Sequence, residues 1–510
     1  MADQLFKSGT PTLGSWMSSS DPTPNVAPPS TLTGQPNPQR GTVDRPTGRR
    51  KPIQPKQRWR WLLSVLALLI LSDYPAPAQR REPAPPRQPS VSLAQPQDFV
   101  TEQTIAGVKT LVKRRPGSQT VAVGLFFAGG ASQTSPQQAG IEALTLAVAT
   151  EASRRFPRET LRQETARLGA GLSYVVTYDY SALTLATTQK TFETAWNLFA
   201  DVVRHPRFEA EDVVLTRERL LASLLDDEDD PEAILQQTQA NAIYRHHPYA
   251  AAPRGTTETL TRLGATDLRA HYAKLLTTKR LLLVVVGDVS PDRIAKRAAR
   301  LFAGLPAGTA ARSVPPLSWE PADVVIAARP LPTDYVQGVY TAPALTAPDF
   351  PALRLAAAIL RDRVFEEVRV KRNLSYAPTA FLSAQGANVG GVYVSAVDAK
   401  QAVTVMLDEI ERLKSELVEP SELRATVAQF LTTYHLAEET NSGQVSALAL
   451  YELLGGGWRQ AFVSLDRLQS VTPEQVRDAA RRYMTNLRFT AVGEEARVRR
   501  LLSNPGPSAE

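Results

Sequence analysis

A phrase near residue 266 returns near residue 472. Thr266-Asp267-Leu268-Arg269, with Tyr272 behind it and Leu283-Val284-Val285-Val286-Gly287 further on, is echoed by Thr472-Pro473-Glu474-Gln475-Val476-Arg477, Tyr483 and Phe489-Thr490-Ala491-Val492-Gly493. Each copy reads as a threonine N-cap, a helix, and a β-rich strand ended by glycine. Two copies of one α/β unit of about 200 residues each match the usual size of a domain, so the chain is constrained to a duplicated plan.

The folded body starts near Phe99. Val121 to Phe127 is β-branched and aromatic and closes on Gly129-Gly130. Helical patterns are expected over 137–155, 159–168, 191–204, 209–226, 231–244, 267–275 and 290–302. Two strands are expected around Asp179, and a buried strand over 281–286. After a stretch rich in proline and small residues, strands at 323–328 and 335–341 precede a helix at 350–371. A strand at 391–397, helices near 400–416, 420–440, 442–454 and 473–484, and a strand at 488–492 complete the second copy.

The positive charge is concentrated at the N-terminus. Residues 1–90 hold twelve Lys/Arg against five Asp/Glu, and the remainder balances at 46 of each. A balanced body lacks the concentrated basic face of a nucleic-acid binder. Residues 1–58 are basic, proline-rich and without periodicity, and a disordered tail is expected there. Arg58-Trp59-Arg60, the apolar run Trp61–Leu71 and the ending Ala76-Pro77-Ala78 resemble a secretory signal. Eleven apolar residues fall short of the roughly 20 that a comfortable spanning helix needs. Residues 59–78 are therefore read as a signal peptide or membrane anchor, placing the body outside the cytoplasm (exported or membrane-anchored, on the periplasmic side), and 79–97 as a proline-rich linker. The absence of cysteine removes disulfides, thiol nucleophiles and thiolate zinc sites.

Leu168-Gly169-Ala170, Asp229-Asp230-Pro231, His247-Pro248-Tyr249, Gly255-Thr256, Asp267-Leu268-Arg269 and Val286-Gly287-Asp288-Val289 follow one another in a distinctive order. Together they resemble the pitrilysin (insulinase) family over about residues 98–495. The resemblance implies an α+β fold of two homologous half-units, each an antiparallel sheet flanked by helices, forming a clamshell around a peptide-holding chamber. It divides the body into an N-terminal peptidase-like domain (98–305), an interdomain linker (306–330), a C-terminal peptidase-like domain (331–498) and a flexible tail (499–510).

The family's zinc helix carries H-x-x-E-H. Two histidines at i and i+4 share one helix face and bind the ion, a glutamate activates the bound water, and a third ligand follows about 75 residues later. Here those positions read Ala143, Leu146, Ala147 and Ser223, with Glu218 and Glu228 one or two turns out of register. Three apolar side chains and a hydroxyl provide neither a ligand set nor a base. No metal or cofactor of the chain's own is expected.

Val368-Arg369-Val370-Lys371-Arg372-Asn373-Leu374-Ser375-Tyr376 is similar to the family's "L-R-E-K-R-G-L-A-Y". In that family the arginine and tyrosine reach the substrate or the reacting carbonyl. Arg369 and Tyr376 keep a fixed cation and a phenol suited to a developing oxyanion. Asn373 stands where the family has glycine and tolerates a left-handed turn, so a hairpin can survive. The alternative is that Arg369 pairs with a nearby Glu and Tyr376 packs in the sheet. The resemblance implies a metal-free subunit that pairs with a zinc-bearing homologous peptidase subunit and contributes to binding a peptide substrate. A membrane-associated, non-enzymatic peptide-binding or assembly factor is the other reading.

Competing signals have plainer explanations. His246-His247 reads as a loop before proline. His435-Leu436-Ala437-Glu438-Glu439 ends in Glu where a second ligand is needed. Asp226 to Asp230 lacks the alternation and glycine of a calcium loop. Gly455-Gly456-Gly457 reads as a helix end. Asp408, Glu409 and Glu411 read as surface partners, with Asp408 four residues before Arg412. His205 and His271 need no role beyond packing or solvation.

Overall fold

A computed structural model of the chain describes residues 99–319 and 324–502. The tail, the signal or anchor and the linker expected over 1–97 lie outside the described residues. Among the described residues, no helix is long and apolar enough to cross a membrane.

The first half builds a six-stranded sheet from β1 (Val100–Ile105), β2 (Val108–Arg114), β3 (Thr120–Ala128), β4 (Gly171–Val176), β5 (Tyr180–Thr188) and β6 (Leu281–Gly287), in the order β1-β2-β6-β3-β5-β4. The second builds a five-stranded sheet from β7 (Val325–Ala328), β8 (Asp334–Thr341), β9 (Thr379–Leu382), β10 (Val389–Ala396) and β11 (Arg488–Gly493), in the order β7-β11-β8-β10-β9. Without β1 the two orders are the same, so the repeat seen in the sequence is a repeat of topology. The sheets are not purely antiparallel: β2 runs parallel to β6 and β7 parallel to β11, because the last strand of each half inserts beside an early one.

Helices flank both sheets, giving the α+β architecture. The first half carries α1 (Ile141–Ala149), α2 (Arg158–Leu168), α3 (Phe192–Arg204), α4 (Ala210–Glu228), α5 (Pro231–Ile243), α6 (Thr257–Arg262), α7 (Ala265–Leu275) and α8 (Pro291–Phe302). The second carries α9 (Phe350–Val364), α10 (Ala399–Ser415), α11 (Pro420–Glu439), α12 (Asn441–Leu454), α13 (Gln460–Gln469), α14 (Pro473–Tyr483) and α15 (Glu495–Leu502). Thr472 caps α14 as expected, accepting from the Gln475 amide. Its counterpart differs: Gly264 is the N-cap of α7 and Thr266 lies inside the helix, with Asp267 accepting from the Gly264 amide. β7 falls inside the stretch read as interdomain linker, and α15 runs into the expected tail.

Each sheet buries one face on its own helices and the other on a helix borrowed from the opposite half. In β3, Val121, Val123, Leu125 and Phe127 face the first core, while Ala122 and Phe126 face Val445, Leu448 and Ala449 of α12. Gly124 shares that second face, and a Cβ there would lie 2.7 Å from Val445. Central β6 is buried at every residue, which explains its unbroken apolar run. The exchange is reciprocal: α5 packs on β7, β8 and β11. On that sheet Gln236 donates to Gln337 at 2.8 Å and the Tyr393 hydroxyl donates to Glu232 at 2.5 Å. α5 and α12 occupy equivalent places in the two copies. The second face of each sheet is therefore packed, over several of its strands, against a helix of the other half.

Candidate functional site

The helix expected to carry the zinc motif is α1, shorter than the 137–155 segment anticipated. Gly140, at φ +80°, turns the chain into it, and it stops at Thr150. Every residue of α1 is buried; Leu146 is fully enclosed in the first core, and Ala143 and Ala147 are nearly so. α1 packs on α4, which carries Ser223. Ser223 is exposed and its hydroxyl accepts from Arg254 at 2.6 Å; Arg254 also pairs with Asp227 at 2.5 Å. Arg219 on the same helix pairs with Glu151.

These residues do not fit a zinc ion. Alanine and leucine present no lone pair, the one hydroxyl is already bonded to a guanidinium, and two arginines border the helix where a dication would need carboxylates. Among the described residues, no group of three or more His, Asp or Glu side chains is gathered closely enough to hold a metal.

One acid on α1 does find partners. Glu142 is buried, accepting from the Ser181 hydroxyl at 2.5 Å and lying 3.3 Å from Nε2 of His271. His271 is thus engaged with Glu142 rather than simply packed or solvated. The partners lie 39 and 129 residues from Glu142 in sequence, and no local spacing signals them.

Arg369 and Tyr376 do come together. α9 continues into a π-helical segment, Phe365–Lys371, whose Val368 is fully buried and anchors the turn. The Asn373 amide then donates to the Arg369 carbonyl at 3.2 Å, with Asn373 at φ +52°. This left-handed position is the one anticipated for Asn373, although it closes a helix end rather than a hairpin. It matches Gly169, at φ +57°, which ends α2 in the first copy. Ser375 bridges to Ala396 and brings Tyr376 back beside the helix.

The Arg369 guanidinium lies 4.1 Å from the Tyr376 ring centroid and 5.0 Å from that of Phe365. It has no ion pair among the described residues, since the adjacent Glu367 is taken by Lys371 and Arg372. Those two cations hold the Glu367 carboxyl below the usual range. Tyr376 is 59% exposed and Phe365 41%, so a cation held on two rings faces solvent.

The competing motifs resolve structurally. Asp230 caps α5 by accepting from the Glu232 amide, and Gly455 ends α12. The His247 ring bonds Tyr249 N and Pro315 O. Arg412 pairs with Glu416 and Glu409, not with Asp408.

Comparison with known proteins agrees with this architecture. Residues 109–257 match the model of the insulinase family (peptidase family M16), and residues 262–430 match that of the peptidase M16 inactive domain. The chain belongs to the insulinase family. An uncharacterized zinc protease of Mycobacterium leprae is 22% identical over 396 residues, covering 76% of this chain and 89% of that protein. The non-peptidase homolog YmxG of Helicobacter pylori is 24% identical over 186 residues, or 36% of this chain and 43% of that one. The crystal structure of a peptidase M16 inactive domain from Pseudomonas fluorescens superposes with a TM-score of 0.71 at 22% identity, over 78% of this chain and 98% of that one. At that identity the likeness extends to the fold. Insulinase-family relatives thus include proteins named as peptidases and one named as a non-peptidase.

Proposed function

We propose that this chain is a non-catalytic insulinase-family subunit that pairs with a zinc-bearing homologue and supplies Arg369 and Tyr376 to a shared peptide chamber. One contrast carries the reading: four motif positions hold no metal ligand, while Arg369, on the exposed Tyr376 ring, has no ion pair among the described residues. A guanidinium without a counter-charge is a ready donor to a peptide carbonyl or carboxylate. The clamshell implied by the resemblance would then be completed by the partner chain. β4, at the edge of the first sheet, offers unpaired backbone groups to an extended peptide. The apolar segment at 59–78 would place the complex at or beyond the membrane.

The test is to assay peptides with the purified chain, with and without added zinc, and then with its zinc-bearing homologue. The lone chain is expected to be inactive in both conditions. In the complex, Arg369→Ala is expected to lower turnover about 100-fold, the scale of losing one oxyanion donor. Strong zinc-dependent hydrolysis by the chain alone would defeat the proposal.

A second reading, a peptide-binding or assembly factor, is favoured by the engagement of Arg369 with Phe365 as well as Tyr376, which gives it a structural use. Unchanged turnover in Arg369→Ala and Tyr376→Phe complexes that still assemble would select that reading.

A further inference from the structure

Another feature lies on the first half, lined by neither Arg369 nor the altered zinc positions. The end of α3, the residues after it and one side of α7 enclose an open cleft of about 690 Å³. Arg154, Arg204, Arg207, Arg269 and His205 line it, and no aspartate or glutamate does. Its floor is apolar and fixed: Phe208 and Tyr272 are buried, with ring centroids 5.6 Å apart.

The cations here are poorly compensated. Arg207 pairs with Glu209 at 2.8 Å, and among the described residues Arg269 donates to the Phe208 carbonyl, at 2.7 Å. Arg154 and Arg204 have no carboxylate partner among the described residues, and Nη1 of Arg204 is shut off from solvent with no hydrogen-bond partner. One oxygen of the nearby Asp201 carboxylate accepts from the Ser153 hydroxyl at 2.7 Å and the Arg155 amide at 2.9 Å. The His205 ring loses proton affinity first through burial, then through Arg154 and Arg204, with Asp201 opposing them.

Holding guanidinium groups together without counter-charge is unfavourable. A single carboxylate would leave most of the charge unanswered. A phosphate group carries more than one negative charge, accepts several bonds at once and matches the planar fork of arginine. The volume lies within the range of small-molecule sites. We propose that this cleft binds an anion bearing phosphate groups, with Arg154, Arg204 and Arg269 as its donors and Arg207 at its rim. The proposal does not depend on pairing with a zinc-bearing subunit.

The source of the phosphate is separated by two probes applied to the full chain. Tripolyphosphate, followed by calorimetry, stands for a soluble ligand; phosphatidylcholine vesicles with and without phosphatidylglycerol, followed by co-sedimentation, stand for a lipid headgroup. Saturable binding of either probe is expected, weakened about tenfold or more in Arg154→Gln and Arg204→Gln and unchanged in Lys400→Gln, an exposed site in the second half. Arg154 is exposed, so its variant keeps the test valid if loss of Arg204 disturbs folding. Binding of tripolyphosphate alone assigns a soluble phosphate compound, and binding of the anionic vesicles alone assigns a headgroup. Binding of neither, or binding weakened equally by Lys400→Gln, overturns the proposal.

Discussion

The Tyr249 hydroxyl donates to the Asp179 carboxylate at 2.5 Å and, through the same oxygen, accepts from the Ala387 amide at 3.1 Å. The other Asp179 oxygen accepts from the Gly386 amide at 3.0 Å. A turn of the first half is thereby tied to a loop of the second. The closeness requires glycine at 386, where a Cβ would stand 2.7 Å from Asp179.

Burial raises the Asp179 pKa, and the bonds from Tyr249 and Gly386 only partly offset this. A carboxyl whose folded pKa exceeds its unfolded value binds its proton more tightly in the native state. Its contribution is greatest at acid pH and declines as pH rises through the folded pKa. Denaturation of wild type and Asp179→Asn is expected to show wild type losing ground to the variant from about pH 4 upward. Tyr249→Phe leaves an acceptor and an amide without partners, and a loss of about 1–3 kcal/mol is expected.

Restoring the zinc motif is expected to fail. Leu146 is enclosed in the core, so Leu146→Glu should destabilise by about 3 kcal/mol or more, as a buried carboxyl without a partner does. The combined variant Ala143→His, Leu146→Glu, Ala147→His, Ser223→Glu should unfold early in a thermal scan and show no stoichiometric zinc by calorimetry.

The two halves should unfold together. Leu448 belongs to the second half but is buried against β3 and β6 of the first. Leu448→Ala is expected to cost about 2–5 kcal/mol. Hydrogen exchange should show the protection of β3 and β6 falling, not only that of α12. Residues 98–305 expressed alone would expose the face formed by Leu111, Phe126, Leu282 and Val284, and aggregation is expected.

Asn373→Gly should be tolerated to within a few tenths of a kcal/mol, whereas Asn373→Val should cost about 1 kcal/mol or more, because a β-branched residue resists positive φ. Thermal midpoints of the two variants provide the comparison.

The sequence revealed what local chemistry determines. The run at β6, the Thr472 cap and the left-handed Asn373 were readable because propensity and burial agree there. β1 and β2 were not read as strands, since their lysines and glutamate look solvated until their partners are known. Lys109 pairs with Glu452 and Lys113 with Glu438, more than 300 residues away. β9, with four residues, and α6, with six, are too short to show a period. At the site, Arg369 and Tyr376 were singled out by resemblance to the family's phrase, but their contact with each other was not anticipated. The Glu142–His271 contact and the arginine cleft could not be anticipated, because the fold alone assembles them.

The swapped helices make each half a fitting for the other. Neither copy can be trimmed, inherited separately or lent to another protein without stranding its twin. A chain so built can shed its chemistry residue by residue and still be obliged to keep its whole length.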